Sequence, residues 1–209
     1  MRIGVLASGS GSNFGVIAQQ AQAPNYPGEI VVLVCNQAQA QARERARHWG
    51  IPEHLIANRD YAHREDHDRA VVAALQQQRV ELVVMAGWMR VATPVLLAAY
   101  PERILNIHPS LLPSFRGMHA VQQALNYGVK ISGCTVHIVR LEVDSGPILA
   151  QAAIPVYPAD TVTSLQQRIQ IEEHRIYPEA IAQYIQDGYR VESVGSPTNG
   201  AIPATLDQQ

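Results

Sequence analysis

The fold is decided near the start of the chain, where residues 3–14 read IGVLASGSGSNF. The apolar run at residues 3–7 predicts a buried strand, and the glycine- and serine-rich turn after it leads into a helix over about residues 13–21. A strand, a tight turn and a helix in this order are typical of the opening of a parallel α/β sheet.

The same alternation continues along the chain and predicts the other elements. Strands are expected at residues 30–35, 54–57, 82–86 and 104–108, and helices at 38–49, 61–78 and from Thr93-Pro94 onward. Later come a helix at 118–127, strands at 134–140 and 148–156 that would pair antiparallel, and a long helix at 163–186. We therefore expect an α/β fold with a Rossmann-like, mostly parallel sheet, flanked by helices and extended by antiparallel strands in the C-terminal half. One domain is expected over residues 1–194, followed by a loosely ordered tail at 195–209 that is rich in Ser, Pro, Gly and Asn.

Composition excludes several classes of protein. The chain has 209 residues, a formal net charge of -2 and 47% apolar residues, which suffices for one substantial core and argues against non-specific nucleic-acid binding. No apolar run approaches the roughly 18 residues of a membrane span, and Met1-Arg2 leads into a strand rather than a signal peptide. Cys35 and Cys134 lie in predicted strands, where free buried thiols are expected. A cytoplasmic protein without nucleic-acid or membrane partners is predicted.

The glycine turn is suited to binding an anion. Backbone N–H groups around Gly11 can approach a phosphate closely at the start of a helix, and Ser12 and Asn13 add side-chain donors. A dinucleotide motif is only half met, because Phe14 stands where its third glycine would be and strand two leads to Asn36 rather than an acid. A terminal phosphate monoester fits best, and a glycine-rich turn without a ligand is the alternative.

A second group of polar residues is expected at the end of the strand at 104–108. Alternation places Asn106 and His108 on one face, about 7 Å apart at their Cα atoms, at the edge where open α/β sheets bind ligands. An amide and an imidazole there can donate to one oxygen, as a tetrahedral acyl-transfer intermediate requires. Asp144 is the candidate carboxylate that would favour the charged imidazole. Taken alone, such residues are more often structural than catalytic.

A resemblance to a known family favours the catalytic interpretation. Residues 106–113, NIHPSLLP, resemble the signature of the folate-dependent formyltransferases. Four further motifs match in the same order, and the likeness runs from residue 1 to about 189. They are SGSGSN at 8–13, AGWMR at 86–90, TVH at 135–137 and DSGP at 144–147. Within the superfamily the chain is similar to the purine-pathway branch, which moves the formyl group of 10-formyltetrahydrofolate to the amine of 5'-phosphoribosylglycinamide (GAR).

The resemblance implies a catalytic trio of Asn106, His108 and Asp144. His108 would be the protonated donor and proton carrier, Asn106 would hold the same oxyanion, and Asp144 would favour the protonated imidazole. The amine would attack the formyl carbon directly, without a covalent enzyme intermediate. Much of the rate would come from holding the two small-molecule substrates side by side.

Glu173 falls within the apolar stripe of the last predicted helix, four residues after Ile169. A carboxylate among core positions needs a partner, and the resemblance makes Glu173 a ligand of GAR, with Gln170 nearby. A structural ion pair with Arg168 or Arg175 is the alternative. The residues expected to bind GAR or its phosphate are Gly11, Ser12, Asn13, Gln170 and Glu173.

The folate would lie against two segments, residues 88–92 and 140–144, whose backbone groups would bind the pterin edge while apolar side chains cover its faces. Arg64 would reach the carboxylates of the folate tail. The alternatives are that Arg64 is a plain surface arginine and that Trp88 and Met89 are core residues. The expected folate contacts are Arg64, Met89, Arg90, Val91, Ala92, Asn106, Arg140, Leu141, Glu142, Val143 and Asp144.

Other interpretations remain open at this point. His63 and His67 are spaced like zinc ligands on a helix, but a solvated helix face explains them better, and no metal is expected. Residues 114–117, SFRG, are reminiscent of the longer methionyl-tRNA formyltransferase branch. Formyltetrahydrofolate hydrolase is a second rival, although it typically carries an extra amino-terminal domain. The rival from another class is a non-catalytic nucleotide-binding module. The chain is expected to be a monomer or a homodimer.

Overall fold

The computed structural model describes residues 1–189. Seven strands form one sheet: β1 Arg2–Ala7, β2 Glu29–Cys35, β3 Glu53–Leu55, β4 Leu82–Met85, β5 Ile104–His108, β6 Ile131–Ile138 and β7 Ile148–Pro155. Their order across the sheet is β3-β2-β1-β4-β5-β6-β7. The first five are parallel, β6 is antiparallel to β5, and β7 is antiparallel to β6. The predicted fold class is confirmed.

The helices occupy the connections that the sequence predicts for them. They are α1 Ser12–Gln20, α2 Gln41–His48, α3 Arg64–Gln77, α4 Pro94–Ala99, α5 Ala120–Tyr127 and α6 Val162–Gln186, with a short 3-10 turn at Asn58–Asp60. Helix α6 begins with a capping box, in which Thr161 and Ser164 each accept a hydrogen bond from the other's backbone N–H.

Several predicted boundaries are wrong by a few residues. The helices predicted from residues 38, 61 and 118 begin at Gln41, Arg64 and Ala120. The residues just before them cannot be helical, because Ala40 and His63 are extended and His119 is left-handed with φ 60°. The strand predicted at 134–140 spans Ile131–Ile138, since its first residues pair with the end of β7.

The core lies in two layers, one on each face of the sheet. Side chains alternate along β1, so that Ile3 and Val5 join one cluster and Leu6 joins the other. Helices α1 and α6 pack on the first face, and α3 and α4 pack on the second. Cys35 and Cys134 are free, buried thiols, as predicted, and burial raises the pKa of each to about 12.

Tyr177 attaches α6 to the middle of the sheet. Its side chain is fully buried, and its hydroxyl lies 2.9 Å from the carbonyl oxygen of Met85 and 3.1 Å from that of Leu105. These carbonyls belong to the neighbouring strands β4 and β5. The contact fixes α6 above the carboxyl ends of the strands, one helical turn from Glu173.

The predicted tail at 195–209 and the last residues of the predicted domain lie outside the described residues. Among the helices of residues 1–189, none combines the length and the apolar character that crossing a membrane would require.

Candidate active site

A cleft of about 260 Å³ opens at the carboxyl ends of β1, β4 and β5. The turn at residues 8–13 forms one wall, and Gln170 and Glu173 of α6 form part of another. Ile107 and Pro109, the two neighbours of His108, also line it. The anion-binding turn therefore lines this cleft, and the end of β5 reaches it through the residues on either side of His108.

Gly11 gives the turn its shape. It is the N-cap of α1 and has a left-handed backbone with φ 66°. A Cβ atom at this position would lie 2.6 Å from the Cβ of Ala42 on α2, closer than two carbon atoms can pack. The turn therefore sits tightly against α2, with the unpaired N–H groups of the α1 N-terminus beside the cleft.

Two side-chain hydrogen bonds join this turn to α6. The amide nitrogen of Asn13 donates to Oε2 of Glu173 at 2.9 Å, and Nε2 of Gln170 donates to Oγ of Ser12 at 2.9 Å. Glu173 is only 5% exposed. Burial raises its pKa, and the hydrogen bond from Asn13 opposes that shift only in part. Oδ1 of Asn13 is buried and has no partner among the described residues.

The alternative of an ion pair at Glu173 is wrong. Arg168 pairs instead with Asp160, and Arg175 with Glu172 and Glu179. Both arginines extend away from the buried stripe of α6, which is why neither reaches Glu173. The five residues expected to bind GAR or its phosphate all line the cleft. Gly11, Ser12 and Asn13 lie at the start of α1, and Gln170 and Glu173 lie on α6.

Asp144 lies between two imidazoles, those of His108 and His137. Its Oδ2 is 3.3 Å from Nδ1 of His108 and accepts a hydrogen bond from the backbone N–H of Gly117 at 2.8 Å. Its Oδ1 is 3.5 Å from Nε2 of His137. Burial acts to raise the pKa of Asp144, but hydrogen bonds from His137 and Gly117 and the charges of both histidines outweigh it and lower the pKa. The carboxylate is therefore held in its charged form.

Asn106 and His137 face each other across the antiparallel pair β5 and β6. Nδ2 of Asn106 lies 3.2 Å from Nε2 of His137, whose Nδ1 lies 3.0 Å from the carbonyl oxygen of Ile138. Because a carbonyl only accepts, Nδ1 carries a proton. Nε2 lies between the amide of Asn106 and the carboxylate of Asp144. The sequence analysis missed His137 as a member of this group, although it ends the TVH motif.

The loop after β5 holds the second nitrogen of His108. Nε2 of His108 donates to the carbonyl oxygen of Phe115 at 2.9 Å. Thr135 on β6 fixes this loop, because its Oγ1 accepts from the N–H of Leu112 and donates to the carbonyl of Ser110. In this structure His108 and Asn106 do not share one acceptor: Nε2 of His108 faces the carbonyl of Phe115, and the amide of Asn106 faces His137.

The first expected folate segment has free backbone groups. Met89 is 76% exposed, so it is not a core residue, whereas Trp88 is buried. The N–H of Met89 donates to Oγ of Ser8 at 2.8 Å. Within residues 1–189, the backbone N–H and C=O groups of Arg90, Val91 and Ala92 make no hydrogen bond with the protein. They are free to bind the edge of a planar heterocycle.

The second expected folate segment presents apolar side chains, with Leu141 and Val143 exposed. Besides Asp144, it has two charged side chains, and both are engaged elsewhere: Glu142 pairs with Arg116 and Arg140 pairs with Glu102. Only the backbone of these two residues is available for a ligand. Arg64 is exposed at the first turn of α3, and no contact in the described part of the chain joins it to the cleft.

The expectation of a solvated face for His63 and His67 is wrong for His67. His67 is fully buried, its ring packs near those of Tyr61 and Trp88, and its Nε2 donates to the carbonyl of Ile56 at 2.9 Å. His67 lies on the same face of α3 as the buried Val71 and Leu75, and this face packs against the protein. Residues 1–189 contain no group of three or more His, Cys, Asp or Glu side chains arranged to hold a metal ion.

Comparisons with known proteins agree with this geometry. A model of the formyl transferase family matches residues 1–181. The chain is 41% identical to the phosphoribosylglycinamide formyltransferase of Bacillus subtilis (strain 168) over 88% of this chain and 94% of that protein. It is 39% identical to the human trifunctional purine biosynthetic protein adenosine-3 over 86% of this chain, which spans only 18% of the human protein. The crystal structure of glycinamide ribonucleotide transformylase 1 from Symbiobacterium toebii superposes with a TM-score of 0.88 and 48% identity, covering 90% of this chain and 88% of that one.

Proposed function

Because the chain belongs to the formyl transferase family, we propose that it transfers the formyl group of 10-formyltetrahydrofolate to the amine of GAR, giving formyl-GAR in purine biosynthesis. Relatives that carry this activity in their names match it over most of both chains. One observation carries the proposal: the turn at residues 8–13, bonded to Glu173, lines a cleft that Ile107 and Pro109 also line, and His108, which contacts Asp144, stands between those two residues in the chain.

The features of the turn suit a sugar phosphate that carries an amine. The α1 N-terminus at Gly11 would bind the phosphate through backbone N–H groups and the side chains of Ser12 and Asn13. Glu173 would accept hydrogen bonds from the ribose hydroxyls or the glycinamide portion. The unpartnered Oδ1 of Asn13 supports this assignment, because a buried acceptor without a donor is costly until a ligand supplies one.

The features of the two folate segments suit a pterin. The free backbone groups of Arg90, Val91 and Ala92 would bind its polar edge, and the exposed side chains of Met89 and Leu141 would cover its faces. Arg64 would meet the carboxylates of the folate tail. The formyl-folate acts as a cosubstrate, which supplies the formyl group and leaves as tetrahydrofolate.

The proposed chemistry depends on His108, Asn106 and Asp144. The GAR amine attacks the formyl carbon, and the carbonyl oxygen becomes an oxyanion. The oxyanion would take the place of the Phe115 carbonyl at Nε2 of protonated His108, and of His137 at the amide of Asn106. Asp144 stabilises the imidazolium. As the bond from the formyl carbon to the folate nitrogen breaks, that nitrogen receives a proton from His108. The attacking amine loses one proton, which passes to the neutral imidazole of His108 and restores its protonated form. Cys35 and Cys134 are buried with raised pKa values, so neither offers a thiolate for a covalent route.

Three further predictions belong to this proposal. Residues 1–194 would form the catalytic domain, which agrees with the single sheet of the described residues. The reaction would take place in the cytoplasm, in keeping with two free thiols. The oligomeric state, monomer or homodimer, stays a prediction.

A formyl-transfer assay with two acceptors tests the proposal. The purified chain is incubated with 10-formyltetrahydrofolate and either GAR or charged initiator tRNA, and formylated product and free tetrahydrofolate are measured. We expect formyl-GAR and no formylated tRNA. Transfer only to tRNA would overturn the choice of acceptor, and release of formate without transfer would identify a hydrolase. Phosphate binding with no turnover at all would identify a non-catalytic module.

A further inference from the structure

The segment at residues 88–93 is anchored at both ends and free in the middle. Near its start, the N–H of Met89 donates to Oγ of Ser8. At its end, the N–H of Thr93 donates to Oδ2 of Asp68 on α3 at 2.8 Å. The residues between the anchors carry the backbone groups that would bind the pterin. Their position in space is therefore set by Ser8 on one side and by Asp68 on the other.

Asp68 is a buried charge that the proposed reaction does not use directly. It is 1% exposed. Burial acts to raise its pKa, but the imidazole of His67 beside it and the hydrogen bond from the Thr93 N–H outweigh burial and lower the pKa. A buried carboxylate destabilises the fold unless hydrogen bonds or a charged partner compensate it. The Asp68 carboxylate accepts its hydrogen bond from the backbone of the 88–93 segment.

His67 holds Asp68 in place from the side opposite Thr93. Nδ1 of His67 lies 3.5 Å from Oδ1 of Asp68, while its Nε2 donates to the carbonyl of Ile56 just after β3. The His67 ring also lies 5.9 Å from that of Trp88, centroid to centroid, with the planes tilted by 30°. The first turns of α3 thus contact the 88–93 segment at both Trp88 and Thr93.

We propose that Asp68, held by His67, is a positioning residue that fixes the 88–93 segment for folate binding. The inference rests on the proposed function, because it assumes that this segment binds the pterin. Asp68 itself touches no substrate. It acts through the backbone, since hydrogen bonds to a rigid ligand need groups already held in the right geometry.

Two substitutions of Asp68 distinguish the loss of the hydrogen-bond acceptor from the loss of the negative charge. Asp68→Ala removes the acceptor for the Thr93 N–H. Asp68→Asn keeps it, because Oδ1 of the amide can accept from Thr93 and its NH₂ can donate to Nδ1 of neutral His67. The matched control is Asp66→Ala on the same helical turn, where the carboxylate pairs only with Arg69 at the surface. Should Asp68→Ala fail to fold, Asp68→Ser offers a polar side chain too short to reach Thr93.

Steady-state kinetics and equilibrium binding are measured for each variant in the full chain. We expect Asp68→Ala to raise KM for 10-formyltetrahydrofolate about tenfold, as loss of one hydrogen bond to a charged group implies. KM for GAR should stay within about twofold, because the turn at residues 8–13 is unchanged. Asp68→Asn and Asp66→Ala should resemble the wild type. Calorimetric titration with tetrahydrofolate should show the same ranking of affinities.

A purely structural role predicts a different outcome. Asp68→Ala would then lower the melting temperature and the fraction of active protein while both KM values stay unchanged, and that result would overturn the inference. So would an Asp68→Asn variant as impaired in folate binding as Asp68→Ala. Absence of formyl transfer by the wild type would instead refute the proposed function, while the tetrahydrofolate titration decides the role of Asp68 separately.

Discussion

Nδ1 of His108 lies 3.3 Å from Oδ2 of Asp144, and the same carboxylate oxygen accepts the N–H of Gly117. Asp144 has a left-handed backbone with φ 51°, a conformation that aspartate tolerates better than most residues. The turn at residue 144 therefore directs a charged carboxylate at the end of β5, where His108 stands. This pair forms the chemical centre of the proposed reaction, and the first two predictions concern it.

Replacing His108 with alanine should remove formyl transfer while leaving the fold intact. The imidazole is the proposed donor to the oxyanion and the proton carrier, and losing both roles costs on the order of a thousandfold in kcat. Stopped-flow or coupled measurement of tetrahydrofolate release checks the rate, and circular dichroism checks the fold. The control is His48→Ala, an exposed histidine on α2. Activity within tenfold of the wild type would exclude the assigned role.

The stability difference between the wild type and Asp144→Asn should depend on pH. The folded-state pKa of Asp144 lies below its unfolded value of about 3.9. Its ionised form therefore stabilises the fold fully above about pH 5, and this contribution is lost as the pH falls through the lowered pKa. Urea unfolding of both proteins between pH 3 and 6 gives the measurement. A difference in unfolding free energy that does not change with pH contradicts the prediction.

Glu173→Gln should make the protein more stable and a poorer enzyme. Burial raises the folded-state pKa of Glu173 above its unfolded value of about 4.3, so ionisation opposes folding as the pH rises through that range. The neutral amide avoids this cost, while its oxygen can still accept from Asn13. We expect a gain on the order of 1 kcal/mol at pH 7 and no gain below pH 4.

The same variant should raise KM for GAR at least about tenfold, because a neutral amide is a weaker acceptor than a carboxylate. KM for 10-formyltetrahydrofolate should change little. Glu179→Gln, an exposed residue two turns along α6, serves as the control for both measurements. A Glu173→Gln protein that is less stable at pH 7, or one with an unchanged KM for GAR, would refute this account of the buried carboxylate.

Gly11→Ala should lower the free energy of unfolding far more than Gly9→Ala. At Gly11 the new Cβ meets Ala42 at 2.6 Å and the backbone is left-handed, so both strain and overlap oppose it. At Gly9 nothing lies within 4 Å of the added atom. We expect a loss of more than about 2 kcal/mol in unfolding free energy for Gly11→Ala and less than about 0.5 kcal/mol for Gly9→Ala. Equal losses would show that α2 can yield at Ala42.

Local sequence patterns were sufficient to predict the strands and the burial of one key side chain. The apolar runs predict all seven strands to within three residues at each end, because each strand is either buried on both faces or begins beside a turn. The position of Glu173 in the stripe of α6 correctly predicts its burial. Its partner could not be predicted, since Asn13 is brought to it by packing between α1 and α6 rather than by any sequence spacing.

The sequence analysis missed His137 because its place in the site depends on the register between two strands. His137 meets Asn106 only because β6 runs antiparallel to β5 with those two residues opposite each other. A shift of one residue would turn His137 to the other face of the sheet. The burial of His67, by contrast, could have been predicted, because it lies four and eight residues before the buried Val71 and Leu75 on the same face of α3.

The hydrogen bonds of Ser12 and Asn13 reach partners 158 and 160 residues further along the chain, on the last described helix. During synthesis on the ribosome, the turn emerges long before α6 does. A nascent chain that already has β1 to β5 therefore carries only part of a nucleotide site, with Asn13 facing solvent. The proposed GAR site is complete only once α6 packs over the core, so ligand affinity is expected to appear together with the docking of α6 rather than step by step.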